Sequence, residues 1–538
     1  MVREPKFNLL DEPWLEVTTR AGNVQRLGIL ECLRRSAELR GLGQDMSTQR
    51  FVVLRLLLAF LHRAMGGPTT TAWNRAWKDG LPQEAIDAYA AQVRDRFWLV
   101  HPSQPFFQTP TLRAAKGPEA GLRKIVADIP DGEPFFTNRT VADVARLEWP
   151  EAALWLVHAQ GYDTAGIKTG ALGDPLVSAG KGYGYGLPSW AGQIGGVSAV
   201  GANLQETLLL NLIPDSSPPD DQPAWERPVP TAWRGDSTET QQPVTGPVHL
   251  MTWQSRRILL EWDGDLASGL TLCQGDRIAP QEPPMHPVEK FTSWRYSKPQ
   301  TQKFGHPIFM PQQHDSARQA WRGLSQLLGL PREPRKGDPE VSVPICGLVE
   351  HLAKLEMSTG HSIYTLELSG YLYGGQNATY ADLIDDSVGV PALLIGDKDT
   401  SLPWRTTVSL AVDEAEKVAY AVRRLAENLA IASGQDRPEL PEWQERCFAA
   451  LDQPIREWIT HLDVGNDRSA AHLQWRRACR AVAASLADDL LSSLGLHAHA
   501  GHASGPDSDP ITPALAYAWF QATLAKVLGP RPTTKEGT

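Results

Sequence analysis

VDEAEKVAYAVRRLAENLAIASG, residues 412–434, repeats its apolar residues with the period of an α-helix. Val418, Val422, Leu425 and Leu429 recur every three or four positions and therefore fall on one helical face. Gly434 follows shortly after the last of them, where glycine commonly ends a helix. The stretch predicts an amphipathic helix whose apolar face must pack against neighbouring elements.

Three further segments of the same kind follow towards the end of the chain. Residues 441–462 and 471–495 repeat apolar side chains at helical spacing, and Pro454 is expected to kink or split the first of them. Residues 512–530 begin with Thr512 as a cap and Pro513 at the first helical position, and stop at Gly529. Four such segments predict a four-helix bundle over residues 401–538. The expected core positions of the second and third segments are Trp443, Cys447, Leu451, Ile455, Trp458, Leu462, Ala478, Val482, Leu486 and Leu490.

The first 400 residues mix helical and strand patterns. Residues 48–65 and 83–97 are helical, residues 248–262 (VHLMTW-QSR-RILLEW) are typical of a β-hairpin, and LTLCQ at 270–274 adds a strand. Residues 214–247 are rich in Pro, Asp and Thr, which predicts a long exposed connection. The fold class expected is therefore α+β: a large mixed N-terminal domain, residues 1–400, followed by the helical bundle.

Composition narrows the environment and the class of protein. The 538 residues carry a formal charge of −10, which argues against indiscriminate binding to nucleic acid. The five cysteines form no CxxC pair, so we expect reduced thiols and a cytoplasmic protein. The N-terminus lacks the apolar core of a secretory signal, and the sequence has no apolar run long enough to span a membrane.

A local basic stretch stands out against this acidic average. Between residues 285 and 336 there are nine Lys and Arg residues and three acidic residues, an excess of six positive charges, interleaved with Phe and Trp. Basic and aromatic residues mixed in this way are typical of a surface that faces nucleic acid. A solvated loop with a few packed aromatic side chains explains the composition equally well.

The common catalytic motifs are absent from the sequence. It contains no GxxxxGK[ST], HExxH or GxSxG pattern, and we expect neither a catalytic site, a cofactor nor a metal. The glycine-dense stretch 179–196 (AGKGYGYGLPSWAGQIGG) is not a dinucleotide fingerprint, because Pro188 spoils the helix that should follow. Its bare backbone could approach a polymer closely, and a flexible loop explains the composition equally well. The alternative is an enzyme that binds a phosphorylated ligand there, with Asp163 or Asp174 as the base.

Residues 370–378, GYLYGGQNA, place two uncharged amides after a glycine pair. By itself this is a surface turn with exposed Gln and Asn. Several segments of the chain, taken in their order, resemble the large subunit of the type I-E CRISPR Cascade complex, the CasA family. This resemblance implies a function for the turn. The segments that carry the resemblance are FNLLDEPWLEV at 7–17, HPSQPFFQ at 101–108, PFFTNR at 134–139, the glycine-dense stretch, LQETLLLNLI at 204–213, GYLYGGQNA and the helical C-terminus.

The resemblance implies three devices that read the PAM, the short duplex element beside a target. A glycine loop lies against the minor groove, a lysine finger enters that groove from a β-hairpin, and a glutamine wedge inserts beneath the PAM. The wedge of the family has Asn before Gln, whereas here Asn follows Gln376. The matching positions are Lys181, Gly182, Gly184 and Gly186 for the loop, Lys298 with Lys290 and Arg295 as rivals for the finger, and Gln376, Asn377 and Ala378 for the wedge.

The resemblance also implies partners. A loop in the N-terminal domain contacts the 5′ end of the crRNA and the neighbouring backbone subunit, and the bundle contacts the small subunits and the displaced strand. The opened complex then recruits a trans-acting helicase–nuclease, to which cleavage belongs. A solvated helix face explains the bundle arginines equally well. The matching residues are Phe135, Phe136, Asn138 and Arg139 in the loop, and Arg476, Arg477 and Arg480 on the bundle.

Overall fold

The chain divides into two units, residues 1–387 and residues 388–538. The computed structural model describes residues 4–117, 120–129, 137–182, 186–233, 243–278, 284–330, 343–396, 398–503 and 509–530. The sequence placed its boundary at 400/401, inside a helix that begins at Lys398.

Short strands in several small sheets organise the first unit. The strand orders are β3-β2-β4, β1-β5, β10-β11-β6-β8-β7, β12-β13 and β15-β14-β9. Strand β14 lies in the middle of the last sheet and pairs antiparallel with β9. The strands are β1 Lys6–Asn8, β2 Leu15–Thr19, β3 Val24–Leu27, β4 Leu39–Leu42, β5 Trp98–Val100, β6 Lys168–Thr169, β7 Val177–Ser178, β8 Lys181–Gly182, β9 Gly196–Val200, β10 Arg256–Asp263, β11 Leu266–Gln274, β12 Trp294–Tyr296, β13 Phe309–Pro311, β14 Ile363–Tyr373 and β15 Tyr380–Pro391.

Two helices of the first unit, Ser47–Ala64 and Trp149–Tyr162, are buried along most of their length. The helices are α1 Ile29–Arg34, α2 Ser47–Ala64, α3 Thr70–Asp79, α4 Gln83–Val93, α5 Trp149–Tyr162, α6 Leu204–Asn211, α7 Pro247–Met251, α8 Lys298–Phe304, α9 Leu324–Leu327 and α10 Gly347–Thr359. Helix α2 is apolar around most of its surface and packs against α4, α5, α7 and β14. Its one interior charge, Arg55, forms a buried ion pair with Glu289 at 2.9 Å. The helices predicted at 48–65 and 83–97 correspond to α2 and α4.

The hairpin predicted over residues 248–262 is wrong. Residues 247–251 form α7, and the true hairpin joins β10 to β11, the strand that contains LTLCQ. Pro247 at the first helical position favours a helix there, and Asp221 accepts hydrogen bonds from the amides of Val248 and His249. Alternating hydrophobicity in so short a segment could not reveal this capping by a distant carboxylate.

The predicted exposed connection at 214–247 is also partly wrong. Trp225 is buried among Phe60, Phe97 and Phe106, and its indole N–H donates to the hydroxyl of Tyr89 at 2.7 Å. Residues 234–242 lie outside the described part of the chain. A single aromatic anchor buries a segment whose composition is otherwise that of a loop.

The second unit is helical. Its elements are α11 Ala392–Ile395, α12 Lys398–Ala432, α13 Pro441–Thr460, α14 Arg468–Ser492 and α15 Pro513–Leu528. Helix α12 packs against α13, α14 and α15, and Thr512 caps α15 as predicted by accepting a hydrogen bond from the amide of Leu515. The mixed fold with a helical C-terminal region is confirmed.

Two details of these helices differ from the predictions. Pro454 lies inside a continuous α13, where the carbonyl left without a donor belongs to the exposed Ala450 and water can reach it. The buried face of α14 is shifted by one position from the predicted stripe. Small residues occupy the middle of this face, at Cys479, Ala483 and Ala487, while Val482 and Leu486 stay half-buried. The buried residues of α14 are Trp475, Cys479, Ala483, Ala487 and Leu490.

No helix in the described ranges combines the length and hydropathy needed to cross a lipid bilayer. The five cysteines are buried free thiols.

Candidate nucleic-acid interface

The amide pair lies at the tip of the hairpin formed by β14 and β15. Gln376 is exposed, and both Gln376 and Asn377 adopt left-handed backbone conformations with φ of 55°. The preceding glycine pair does not supply the left-handed positions of this turn, since φ is −72° at Gly374 and is not positive at Gly375. Gly374 is needed for another reason, because any side chain there would overlap the Thr379 hydroxyl. The tip therefore holds two non-glycine residues in a strained geometry with the Gln376 side chain outside the core.

The stem of this hairpin is fixed by tyrosines. The hydroxyls of Tyr373 on β14 and Tyr380 on β15 both donate to the carbonyl of Tyr162, at 2.8 and 3.2 Å. The rings of Tyr371 and Tyr380 pack with centroids 4.6 Å apart. Both strands are thus held to the last residue of helix α5 just below the amides.

The residues after Tyr162 join the hairpin to the glycine-dense stretch. The amide of Ala165 donates to the carbonyl of Asn377, and the amide of Ser189 donates to the carbonyl of Asp163, both at 2.8 Å. The side-chain amide of Asn377 lies 3.4 Å from the carbonyl of Gly186. The hairpin tip that carries the amide pair is therefore in direct contact with Gly186 in the glycine-dense stretch.

Asp163 anchors this junction with its charge. Its buried carboxylate pairs with Lys168 at 2.9 Å and with Arg256. Burial alone would raise the pKa of Asp163, but the two cations outweigh burial and hold that pKa below its ordinary value. Burial, with repulsion from Arg256 and Lys124 added to it, lowers the pKa of Lys168 despite the attraction of Asp163. One carboxylate thus serves two buried cations.

The predicted glycine loop is only partly a loop. Lys181 is exposed, but Gly182 is buried in β8 between β6 and β7, so an exposed role for Gly182 is wrong. A Cβ at Gly182 would lie 3.2 Å from the carbonyl oxygen of Thr169, which explains the glycine by sheet packing. Gly184 falls outside the described residues. Gly186 is exposed, has φ of 68°, and has open space where a side chain would stand.

The candidate finger lies in the connection between paired strands β12 and β13. Lys298 is the first residue of α8 in this connection and is exposed, as is Arg295 on β12. Lys290 lies before the hairpin and is half-buried, with its Cδ 2.7 Å from the position that a Cβ would take at Gly347. Of the three candidates, Lys298 and Arg295 present their side chains to solvent.

The base of this finger hairpin contacts the segment that follows the glycine loop. The carbonyl of Gln312 accepts from the amide of Gly195 at 3.1 Å, and the side chain of Gln313 donates to the carbonyl of Gly192 at 2.9 Å. The ring of His314 lies 2.9 Å from the carbonyl of Gly196. Residues 186–196 thus contact both the hairpin that carries the amide pair and the hairpin that carries the candidate finger.

The residues matched to the crRNA contact divide into two groups. Asn138 is exposed, whereas the Arg139 guanidinium bridges Asp128 at 3.3 Å and Glu151 at 2.6 Å. Phe135 and Phe136 lie outside the described residues. Arg139 therefore holds the fold locally, and of the two matched residues that the structure describes, Asn138 is the one exposed to a ligand.

The bundle arginines do not form one uniform basic face. Arg476 pairs with Glu414 of α12 at 2.6 Å, and Arg480 donates to the carbonyl of Gly529 at 2.6 Å. Arg477 is exposed on the adjacent face. The sequence could not distinguish these roles, because Glu414 and Gly529 are distant along the chain.

The residues needed for the enzymatic alternative have structural partners. Asp163 is enclosed by its two cations, and a carboxylate with a lowered pKa is a poor base. Asp174 is buried and accepts the amide of Leu176 at 3.0 Å. Within the described ranges, no group of His, Cys, Asp and Glu has the arrangement of a metal site.

Sequence reasoning missed a set of basic residues beside the amide pair. Arg123, Lys124 and Lys168 line a cavity whose wall also includes Ala378 and Thr379. They come from separate segments and form no motif. The weak signal available was the polar run TAGIKTG at 164–170, which follows helix α5 directly.

Comparison with known proteins places this architecture in a family. The family model for the CRISPR-associated protein Cse1 matches residues 8–486. The CRISPR-associated protein CasA/Cse1 of Thermus thermophilus is 28% identical over 507 residues, which cover 89% of this chain and 91% of that protein. The crystal structure of Thermobifida fusca Cse1 superposes with a TM-score of 0.88 at 38% identity, covering 97% of this chain and 98% of that one.

A chain of a CRISPR RNA-guided surveillance complex shares the fold, with a TM-score of 0.71 at 20% identity over 97% of this chain and 100% of that chain. The family model alone spans most of the sequence, and the relatives match from end to end. The chain therefore belongs to the Cse1 family, also called CasA, as the order of its sequence segments predicted.

Proposed function

We propose that the chain is the non-catalytic large subunit of a cytoplasmic type I-E CRISPR Cascade surveillance complex. In this role it recognises the PAM through the minor groove of duplex DNA, wedges the duplex open to begin the R-loop, and helps to recruit the helicase–nuclease. Family membership supports the proposal. The observation that carries it is the exposed Gln376, held on a left-handed tip beside the glycine loop.

A wedge must supply free energy at the first opened base step. Each stacked step costs about 1.4 kcal/mol to open, and RNA–DNA pairing returns this only after the first pairs have formed. A side chain inserted between base pairs occupies the gap, as the wedges of DNA-bending proteins do. An uncharged amide enters the stack at a lower desolvation cost than a charged group.

The hairpin is suited to this task because its tip cannot easily retreat. Tyr373 and Tyr380 hold both strands to one carbonyl, and the amide of Ala165 holds the tip itself at Asn377. Left-handed geometry costs a residue such as Gln376 roughly 1–2 kcal/mol. Strain of this kind persists where surrounding structure enforces it, and it concentrates at functional sites.

The other two devices would grip the duplex before it opens. The backbone at Gly186 can approach a groove closely, and Lys181, Lys298 and Arg295 are exposed cations that suit phosphate or minor-groove contacts. The minor groove distinguishes A·T from G·C poorly, so such a reader accepts several PAM sequences. The net charge of −10 keeps binding to random DNA weak, as a scanning complex requires.

The remaining partners follow from the exposed members of each set. Asn138 would contact the 5′ end of the crRNA or the adjacent backbone subunit, and Arg477 would face the small subunits and the displaced strand.

Gln376→Gly tests the wedge without disturbing the fold. Glycine adopts the left-handed conformation without a steric cost, so the variant should be at least as stable as the wild type. In the assembled complex, we expect PAM-dependent binding to remain and strand opening to fall by about tenfold, the equivalent of one stacked step. A 2-aminopurine placed beside the PAM reports opening by its fluorescence.

Arg437→Gly is the matched control, because Arg437 is an exposed left-handed residue in the second unit. It should change opening little. A duplex mismatched beside the PAM should restore the Gln376→Gly complex to wild-type R-loop formation, since that DNA needs no wedge. Opening at the wild-type level by Gln376→Gly on a fully paired target would refute the proposal.

A further inference from the structure

A cavity of about 170 Å³ lies beside the wedge. One wall is the short 3-10 turn Leu122–Lys124, another is the segment that leads into β6, and a third is formed by Ala378 and Thr379, immediately after the amide pair. All of these residues belong to the first unit. The cavity therefore opens next to the place where a wedge would separate two strands.

The cavity is basic. Arg123, Lys124 and Lys168 line it, against Asp163 as the acidic residue of its lining. Three cations against one carboxylate give the side chains of the lining a positive formal charge, and Asp163 is shared between Lys168 and Arg256. Arg123 and Lys124 are exposed, so an incoming anion can reach them. Concentrated positive charge in a concave site attracts an anionic group.

The rim carries groups that suit the rest of a nucleotide. Ile167 lines the cavity with 60% of its surface exposed, so it offers an apolar contact to a molecule that enters. Thr164 and Thr379 add hydroxyls to the wall. The cations suit a phosphate, and the hydroxyls and the apolar surface suit a sugar or a base. Together they fit one linkage of a nucleic-acid strand better than they fit an inorganic ion.

We propose that this cavity binds a backbone phosphate of the target DNA strand at the point where the wedge has separated it from its partner. The inference rests on the proposed function and adds a second element to it. The wedge lowers the barrier to opening, and the cavity holds the opened strand so that it does not re-pair before the guide RNA captures it. Gripping a phosphate makes this step independent of base sequence.

Lys124→Ala in the assembled complex tests the cavity, with Lys78→Ala as the matched control. Both lysines are exposed, but Lys78 lies on α3 and is not part of the cavity lining. The probe is a target duplex mismatched beside the PAM, so that no wedge is needed. We expect Lys124→Ala to weaken binding about five- to tenfold. We also expect it to lower the slope of log affinity against log salt by about one, as the loss of one phosphate contact predicts.

A neutral methylphosphonate, moved along the first target-strand linkages, identifies the phosphate. At one linkage the methylphosphonate should weaken binding by the wild-type complex as much as Lys124→Ala does. At that linkage it should not weaken binding by the Lys124→Ala complex any further. Arg123→Ala should behave in the same way, and melting curves should show each variant folded.

The proposal is overturned if the losses of binding caused by Lys124→Ala and by the methylphosphonate multiply at every linkage. It is also overturned if the Lys124→Ala complex binds the probe as tightly as the Lys78→Ala complex does. Non-additivity with neutral linkages in the crRNA instead of the DNA would overturn the assignment to the target strand. Failure of the wedge appears separately, on fully paired duplexes with Gln376→Gly.

Discussion

Replacing Asp163 with asparagine removes a carboxylate that two buried cations share. The residue is 2% exposed, and its partners Lys168 and Arg256 have side chains that are 11% and 5% exposed. Breaking a buried pair by removing one partner costs about 3–5 kcal/mol, because the remaining charge stays desolvated. Lys168 can release its proton, since burial already lowers its pKa, so we expect a loss near the lower end, about 3 kcal/mol.

The loss should appear at the junction that Asp163 supports. Urea unfolding followed by hydrogen exchange reports the first unit separately from the second. The amides of Ala165 and Ser189 should exchange faster in the variant, because their acceptors belong to this junction. Asp265→Asn is the matched control, because its ion pair with Lys6 is exposed and should contribute less than about 1 kcal/mol.

The effect should also depend on pH with a definite sign. The pKa of Asp163 is depressed in the folded state, so its contribution is complete above the unfolded pKa of about 4 and is lost as the pH falls below it. The stability difference between wild type and Asp163→Asn should therefore shrink on acidification from neutral pH. A loss no larger than that of Asp265→Asn, or a difference unchanged down to about pH 3, would refute the reasoning.

Two further variants, one in each unit, test close packing in the first unit and ion pairing in the second. The methyl group of Gly192→Ala would overlap the hydroxyl of Tyr373, so this variant should destabilise the first unit by about 1–3 kcal/mol and reduce strand opening. Gly375→Ala is the control, because its Cβ would stand in open space, and it should have neither effect. Thermal melts measure the stability and the 2-aminopurine assay measures the opening. Glu414→Gln removes the carboxylate that contacts Arg476 and His472, so it should lower the free energy of unfolding of the helical unit in urea by about 2 kcal/mol. Equal stability of variant and wild type would mean that these contacts do not stabilise the unit.

Local pattern accounted for much of the fold. The stripe through Val418, Val422, Leu425 and Leu429 is buried as predicted, and the Thr512 cap begins its helix at the expected residue. Such features depend on neighbours within a few positions, which the sequence displays directly. The order of short segments along the chain likewise identified the family, and Gln376 proved exposed beside the end of the glycine loop.

Errors arose where a distant residue sets the local structure. Residues 248–251 became helical under a cap from Asp221, Trp225 was buried by aromatic residues far along the chain, and α14 turned its small residues inwards. Hydrophobic periodicity predicts roughly which face of a helix is buried. Packing against a particular partner decides which residues of that face lie in the core.

The sequence alone specified helices, an exposed turn at Gln376 and a family, because each is encoded in contiguous residues or in their order. Only the tertiary structure gathered Asp163, Lys168, Arg256 and Asn377 around the end of one helix and placed a basic cavity beside the amides. Electrostatic coupling falls steeply with distance in space and is indifferent to separation along the chain, so that junction exists only once the chain has folded.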